Sequence, residues 1–400
     1  MRILTVKKPG NSSLVAVIVP VGSRTETNRI KGVSHFIEHL CFKGTQTRTA
    51  REIALAIEQY GGIINAYTGT EVTCYWAVVG NRYLTHAKKV IVDMVTNSTF
   101  PIREINKERE VVIQELKMYQ DDPSSYVYDL FNKTFFQQIP NSGLAQSTIG
   151  TEFSLRSLSR RDILQYYREH YQEYLHRAEP TLLVIQGGQS VQYDAPILLT
   201  PERPLEEFGH VNFQFPTTQF VTESRADISQ TALLLGKYQY TESEILTTAL
   251  QLELLSAIFN TMSGRLFTTV REKNNLVYRV QFTSEIFTDG LIYWGVGLGL
   301  DSDKIPKARQ LINQELTRPV TDTEIKTAVQ HLLGRHALTY DNLSSLSQTI
   351  VGATLLGYDY RQVIDCQSYK QLLGEASKTV KQFQKDMNFQ NNLTVGVLPK

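Results

Sequence analysis

His35, Glu38 and His39 bring two metal-binding side chains and a carboxylate into five consecutive residues, His35-Phe36-Ile37-Glu38-His39. On a helix, positions four apart share a face, so both imidazoles can reach one ion. Zn2+ accepts imidazole nitrogen and carboxylate oxygen, and a catalytic site keeps one position open for water. Glu38, beside the second histidine, can take the proton of that water, whose pKa the metal lowers towards about 7. Five-residue patterns also arise by chance, so the reading needs a third ligand elsewhere. The stretch KEREVVIQELKM, residues 107–118, has apolar residues at helical spacing and offers Glu108, Glu110 and Glu115. Glu108 and Glu115, seven apart, fall on nearly one face.

The chain that must position these residues is 400 long, which exceeds the usual growth of one hydrophobic core and predicts two domains. Its 42% apolar and 20% charged residues are those of a soluble globular protein. Lys plus Arg (41) nearly cancels Asp plus Glu (40), so no global field draws it to nucleic acid or an anionic membrane. The apolar run Leu14–Val21, LVAVIVPV, is far short of the roughly 20 residues of a membrane span and predicts a buried strand. No export signal is recognised, and a cytoplasmic location is expected. Cys41, Cys74 and Cys366 lack zinc-ligand spacing and are each expected to be small buried hydrophobes.

Two halves follow a similar plan. In the first, strand, helix, helix, the strand segment GGIINAYTGTEVTCYWAVVG and a helix near Leu84–Val95 lead to the glutamate-bearing helix. That helix ends at Asp121-Asp122-Pro123, and the strand TLLVIQGG closes the half. In the second, strand TALLLGKY and helix SEILTTALQLELLSAIF precede a hairpin of NLVYRVQFTSEIF with GLIYWGVGLGL. Helices around 304–316, 323–336 and 369–387 and a last strand, NLTVGVLP, complete it. The second half has no His-x-x-Glu-His. The expected fold is α+β and duplicated: a metal-binding domain over 1–189, a proline-containing linker over 190–209 and a metal-free domain over 210–400.

The stretches GVSHFIEHLCFKGT, GGIINAYTGTEVTCYWAVV and KEREVVIQELKMYQDDP resemble the pitrilysin and mitochondrial processing peptidase family of inverted-zincin metallopeptidases. The resemblance runs along almost the whole chain. It implies two homologous halves that close like a clamshell on a peptide. It also implies Glu115 as third ligand to one Zn2+ per chain, with Glu108 behind the ligands, orienting them. Asn65, Ala66 and Tyr67 match the strand that takes substrate as an added strand. Arg271 and Tyr278, in GRLFTTVREKNNLVYRV, match a pair that holds the substrate backbone and the oxyanion. Tyr75 and Trp76 are expected to pack in the sheet, and Thr68 and Thr73 are equally well plain strand residues.

The expected function is a zinc-dependent endopeptidase cleaving peptides or unfolded segments, as a homodimer or with a related subunit. The alternatives are a protease removing the leader of one precursor, and a catalytically silent partner subunit.

Overall fold

The computed structural model describes residues 2–137, 142–145, 147–172, 180–195 and 219–400. The expected linker lies outside the described residues from 196 onward. The chain forms two compact units. Unit 1 comprises Met1–Met118, Ile139–Glu207 and Thr339–Ile364, and unit 2 comprises Tyr119–Gln138, Phe208–Leu338 and Asp365–Lys400.

Unit 1 holds strands β1 (Arg2–Pro9), β2 (Ser12–Val19), β3 (Ile63–Thr68), β4 (Thr73–Gly80), β5 (Pro180–Gly188) and β6 (Gln192–Tyr193). They form one sheet in the order β3-β4-β2-β5-β1-β6. Unit 2 holds β7 (Phe220–Arg225), β8 (Thr231–Tyr240), β9 (Val277–Ile286), β10 (Leu291–Leu300) and β11 (Leu393–Pro399) in the order β7-β11-β8-β10-β9. Without β6, the two sheets have the same order and the same strand senses. β1 with β5 and β7 with β11 are parallel, and the other neighbours are antiparallel. The duplication expected from the order of elements is therefore a duplication of topology.

Among the described residues, the α-helices of the first half of the chain are α1 (Val33–Cys41), α2 (Ala50–Glu58), α3 (Leu84–Thr96), α4 (Ile102–Asp121), α5 (Pro123–Phe135), α6 (Glu152–Ser157) and α7 (Arg160–Tyr166). The core of unit 1 joins Val15, Val17 and Val19 of β2 to Phe36, Ile37 and Leu40 of α1 and to Ile105, Val112 and Leu116 of α4. Apolar residues at helical spacing thus bury α1 and α4 in one core, which sets their polar faces close together. Arg109 of α4 reinforces this by lying over the Phe36 ring, 5.5 Å from its centroid, and donating to the carbonyls of Leu155 and Leu158.

Strand β1, helix α5 and the helix Leu343–Leu355 are not among the sequence expectations. Both helices change units. The Asp122 carboxylate accepts from the Ser124 and Ser125 N–H groups and, with Pro123 at the first helical position, starts α5. Helix α5 then lays Phe131 and Phe135 against Tyr238 of β8, in unit 2. Reciprocally, Leu343–Leu355 packs on β2 and β5 in unit 1. Cys41 and Cys74 are buried as expected, whereas Cys366 is exposed. It is the first residue of the helix Cys366–Asp386, at a helix start that faces solvent.

Candidate metal centre

Helix α1 is anchored from behind before it offers anything to an ion. Its N-cap, Gly32, has φ +84°, and a Cβ there would lie 2.1 Å from the Ile149 carbonyl oxygen, so only glycine fits. With no cap of its own, the helix start is satisfied by Glu26: the N–H groups of Gly32 and Ser34 donate to the two carboxylate oxygens at 2.7 and 2.8 Å. Glu26 is fully buried, and burial pushes its carboxyl up to about 7 against the pull of Lys31 and the N–H donors. Lys31, also fully buried, donates to the carbonyls of Ser23 and Gly143 at 3.3 and 3.2 Å. Tyr166 meets the hydroxyl of Ser34 at 2.8 Å.

From this base α1 presents His35, Glu38 and His39, and α4 presents Glu108 and Glu115. The Glu115 Oε2 atom lies 3.9 Å from His35 Nε2 and 3.4 Å from His39 Nε2. Ligand atoms around a tetrahedral ion with bonds of about 2.0–2.1 Å sit about 3.3 Å apart, so the separations suit one zinc-sized ion. Among the described residues, His35, His39 and Glu115 are the one such cluster. His35 is mostly buried, and burial together with the neighbouring His39 lowers its pKa to about 3. Its imidazole is therefore neutral at pH 7 and keeps a lone pair for a metal.

Glu38 is held differently. Burial raises its pKa, helped by the charge of Glu115 and opposed by His39 and by a hydrogen bond from Thr68. The Thr68 hydroxyl donates to Glu38 Oε2 at 2.5 Å. Thr68 closes β3, so the strand beside the site is tied directly to the carboxylate. Glu108 is 7% exposed; its Oε2 lies 3.5 Å from His39 Nδ1 and its Oε1 2.9 Å from Lys43 Nζ. Glu110 turns away from the cluster and pairs with Arg156 at the surface.

Strand β3 is an edge of its sheet. The hairpin closes with Gly69 N–H to the Val72 carbonyl, so Tyr67 and Cys74 form the next bonded pair and the backbone groups of Ala66 point outward. The outward Ala66 N–H is met at 2.8 Å by Oδ1 of exposed Asn65. Tyr67 spends its backbone on β4 and turns a mostly buried side chain towards Cys74. Tyr75 is fully buried and packs with Phe42 and Tyr171.

Arg271 and Tyr278 are brought together in unit 2. The Arg271 guanidinium lies 5.2 Å from the Tyr278 ring centroid and 4.6 Å from that of Phe267. Both residues line a cavity of 410 Å³ with Gln230, Asn275 and Lys304, and Tyr278 is 81% exposed.

Two family models match separate segments of the chain. Residues 2–152 match the family described as Insulinase (Peptidase family M16), and residues 184–332 match the Peptidase M16 inactive domain. An uncharacterized zinc protease of Rickettsia bellii is 36% identical over 299 residues, covering 73% of this chain and 69% of that protein. The chain belongs to peptidase family M16. Another relative, an uncharacterized zinc protease of Streptomyces coelicolor, is 30% identical over 88% of this chain and 77% of its own. In fold, a protease from Helicobacter pylori superposes with a TM-score of 0.80 at 16% identity, covering 99% of this chain and 96% of that one. The M16 match places His35, Glu38, His39, Glu108 and Glu115 in the first matched segment and Arg271 and Tyr278 in the second.

Two side chains that act on this cluster, Glu26 and Lys43, were not singled out from the sequence, and a third, Thr68, was read there as equally well a plain strand residue. Lys43 had a signal, since it lies four residues after His39. Glu26 sits in what reads as a plain turn, GSRTETNR, and Thr68 in what reads as plain strand.

Proposed function

We propose that this protein is a zinc-dependent endopeptidase that hydrolyses peptides or unfolded segments. The observation that carries the reading is the convergence of His35, His39 and Glu115 on one ion-sized space with Glu38 beside it. Zinc, when bound, supplies Lewis acidity that acidifies water and stabilises negative charge developing on the scissile carbonyl. His35 Nε2, His39 Nε2 and a Glu115 oxygen would hold it. Glu38 accepts the proton of the attacking water and delivers it to the leaving amine; its raised pKa suits a group that must both take and return a proton near neutrality. Thr68 keeps one Glu38 oxygen engaged and so orients the other.

Substrate enters as an added strand on β3. Its backbone bonds to the outward groups of Ala66, with Asn65 giving up the Ala66 N–H that it covers in the free protein. Arg271 holds the substrate backbone, and the exposed Tyr278 hydroxyl donates to the oxyanion. No helix among the described residues is long and apolar enough to cross a membrane. A cytoplasmic homodimer binding one zinc per chain accompanies the proposal.

The test is cleavage of a quenched fluorescent peptide mixture by the wild type and by Glu38→Gln, with zinc measured in both. Zinc in both and turnover in the wild type alone is the expected result. Equal turnover, or an absence of zinc from both, would overturn the reading.

A further inference from the structure

The two histidines of α1 are not held alike. His35 Nδ1 is buried and has no hydrogen-bond partner among the described residues, so packing alone sets that ring. His39 Nδ1 faces Glu108 at 3.5 Å, and Glu108 in turn is gripped by Lys43 at 2.9 Å. The end of α1 is shaped for this contact. Its last turn tightens, with Phe42 N–H bonded to the His39 carbonyl and Lys43 N–H to the Leu40 carbonyl, which keeps Lys43 on the side of His39. Lys43 is 28% exposed and Glu108 only 9% by side chain, so the cation reaches inward to a carboxylate that water barely touches.

We propose that Lys43 is a positioning residue of the metal centre: it fixes Glu108 so that Glu108 accepts the His39 Nδ1 proton and leaves Nε2 facing the ion. This rests on the metallopeptidase reading. A neutral imidazole carries its proton on one nitrogen only, and the acceptor beside that nitrogen chooses which. An unpinned Glu108 could rotate towards the ion and release the His39 ring. Lys43 prevents this by charge and by geometry. It also balances the site, because the formal charges of Glu38, Glu108 and Glu115 cancel those of Lys43 and a divalent ion. The Glu108–His39 separation closes to a hydrogen bond with a shift of about 0.5 Å.

The experiment is zinc affinity by chelator competition for the wild type, Lys43→Met, Lys43→Arg, Glu108→Gln and the double variant Lys43→Met/Glu108→Gln. Metal-free thermal unfolding is followed in parallel. Outer partners of metal-binding histidines are worth about 10–100-fold in affinity, and Lys43→Met is expected to fall in that range. Lys43→Arg restores affinity to within about threefold, because a guanidinium reaches the same carboxylate. The double variant binds no more weakly than Glu108→Gln, because Lys43 acts only through Glu108. Unchanged zinc affinity in Lys43→Met, or losses that add in the double variant, would overturn the proposal. Should Lys43→Met fail to fold, Lys43→Gln is read by the same criteria. A wild type that binds no zinc would instead sink the metal-centre reading itself.

Discussion

The two sheets share one strand order, yet their hairpin edges are treated in opposite ways. On β9 the turn closes with Phe287 N–H to the Leu291 carbonyl, which by alternation points the backbone groups of Phe282 outward, as it does those of Ala66 on β3. Asn260, at the end of the helix Ile245–Asn260, covers both Phe282 groups with its side-chain amide, accepting from the N–H and donating to the carbonyl at 2.7 Å each. On β3 the cover among the described residues is Asn65, a neighbour on the same strand, and it takes the Ala66 N–H alone. An exposed edge is a template for any extended chain. One edge is therefore closed by a remote helix, and the other is left available beside the cluster of His35, His39 and Glu115. A duplicated fold can divide its labour in this way without changing its topology.

The strongest test of the division is chemical. Glu38→Gln should lower kcat by about 10³-fold while zinc stays bound, in the range of a lost general base. Retention of more than a tenth of the activity would mean that the equipped half does not work through Glu38. Thr68→Val, which cuts the tie between the open edge and the carboxylate, should lower kcat by about tenfold and change the pH profile. Thr68 favours the ionised form of Glu38, so without it the already raised pKa rises further. Because the base works ionised, the acid limb of kcat should move to higher pH. An acid limb that stays in place would show that Thr68 only packs.

The closed edge gives a stability test. Asn260→Ala leaves the Phe282 N–H and carbonyl without protein partners in a partly buried position, at a cost of about 1–3 kcal/mol. A lower Tm and concentration-dependent self-association in sedimentation are expected; a monodisperse variant of unchanged Tm would remove the contrast between the edges. The smallest effect is expected at the open edge. Asn65 is exposed, so Asn65→Ala should change stability by less than about 0.5 kcal/mol. It should alter KM for peptides by about threefold with little change in kcat.

What could be read from the chain was local. The helix of His35, Glu38 and His39, the glutamate helix, the hairpin of β9 and β10 and the absence of a metal motif from the second half all follow from spacing within one segment. Short-range periodicity decides these, because it sets which side chains share a face. Glu108 and Glu115 could be set on one face in the same way, and their tie to the metal came through the family resemblance. The α5 pattern of Val127, Phe131 and Phe135 shows a helix with an apolar face, but not that this face belongs to the second sheet. Nor does any local pattern send Leu343–Leu355 to the first. The contacts of Lys43, Thr68, Glu26 and Asn260 were decided only in three dimensions. Lys43 meets Glu108 and Glu26 caps α1 because α1, α4 and the loop before α1 pack on one another. Thr68 reaches Glu38 across 30 residues, and Asn260 covers Phe282 across 22. Such contacts form only once the hydrophobic faces have fixed the backbone, since a polar side chain has no preference for a distant partner until burial removes water as its alternative.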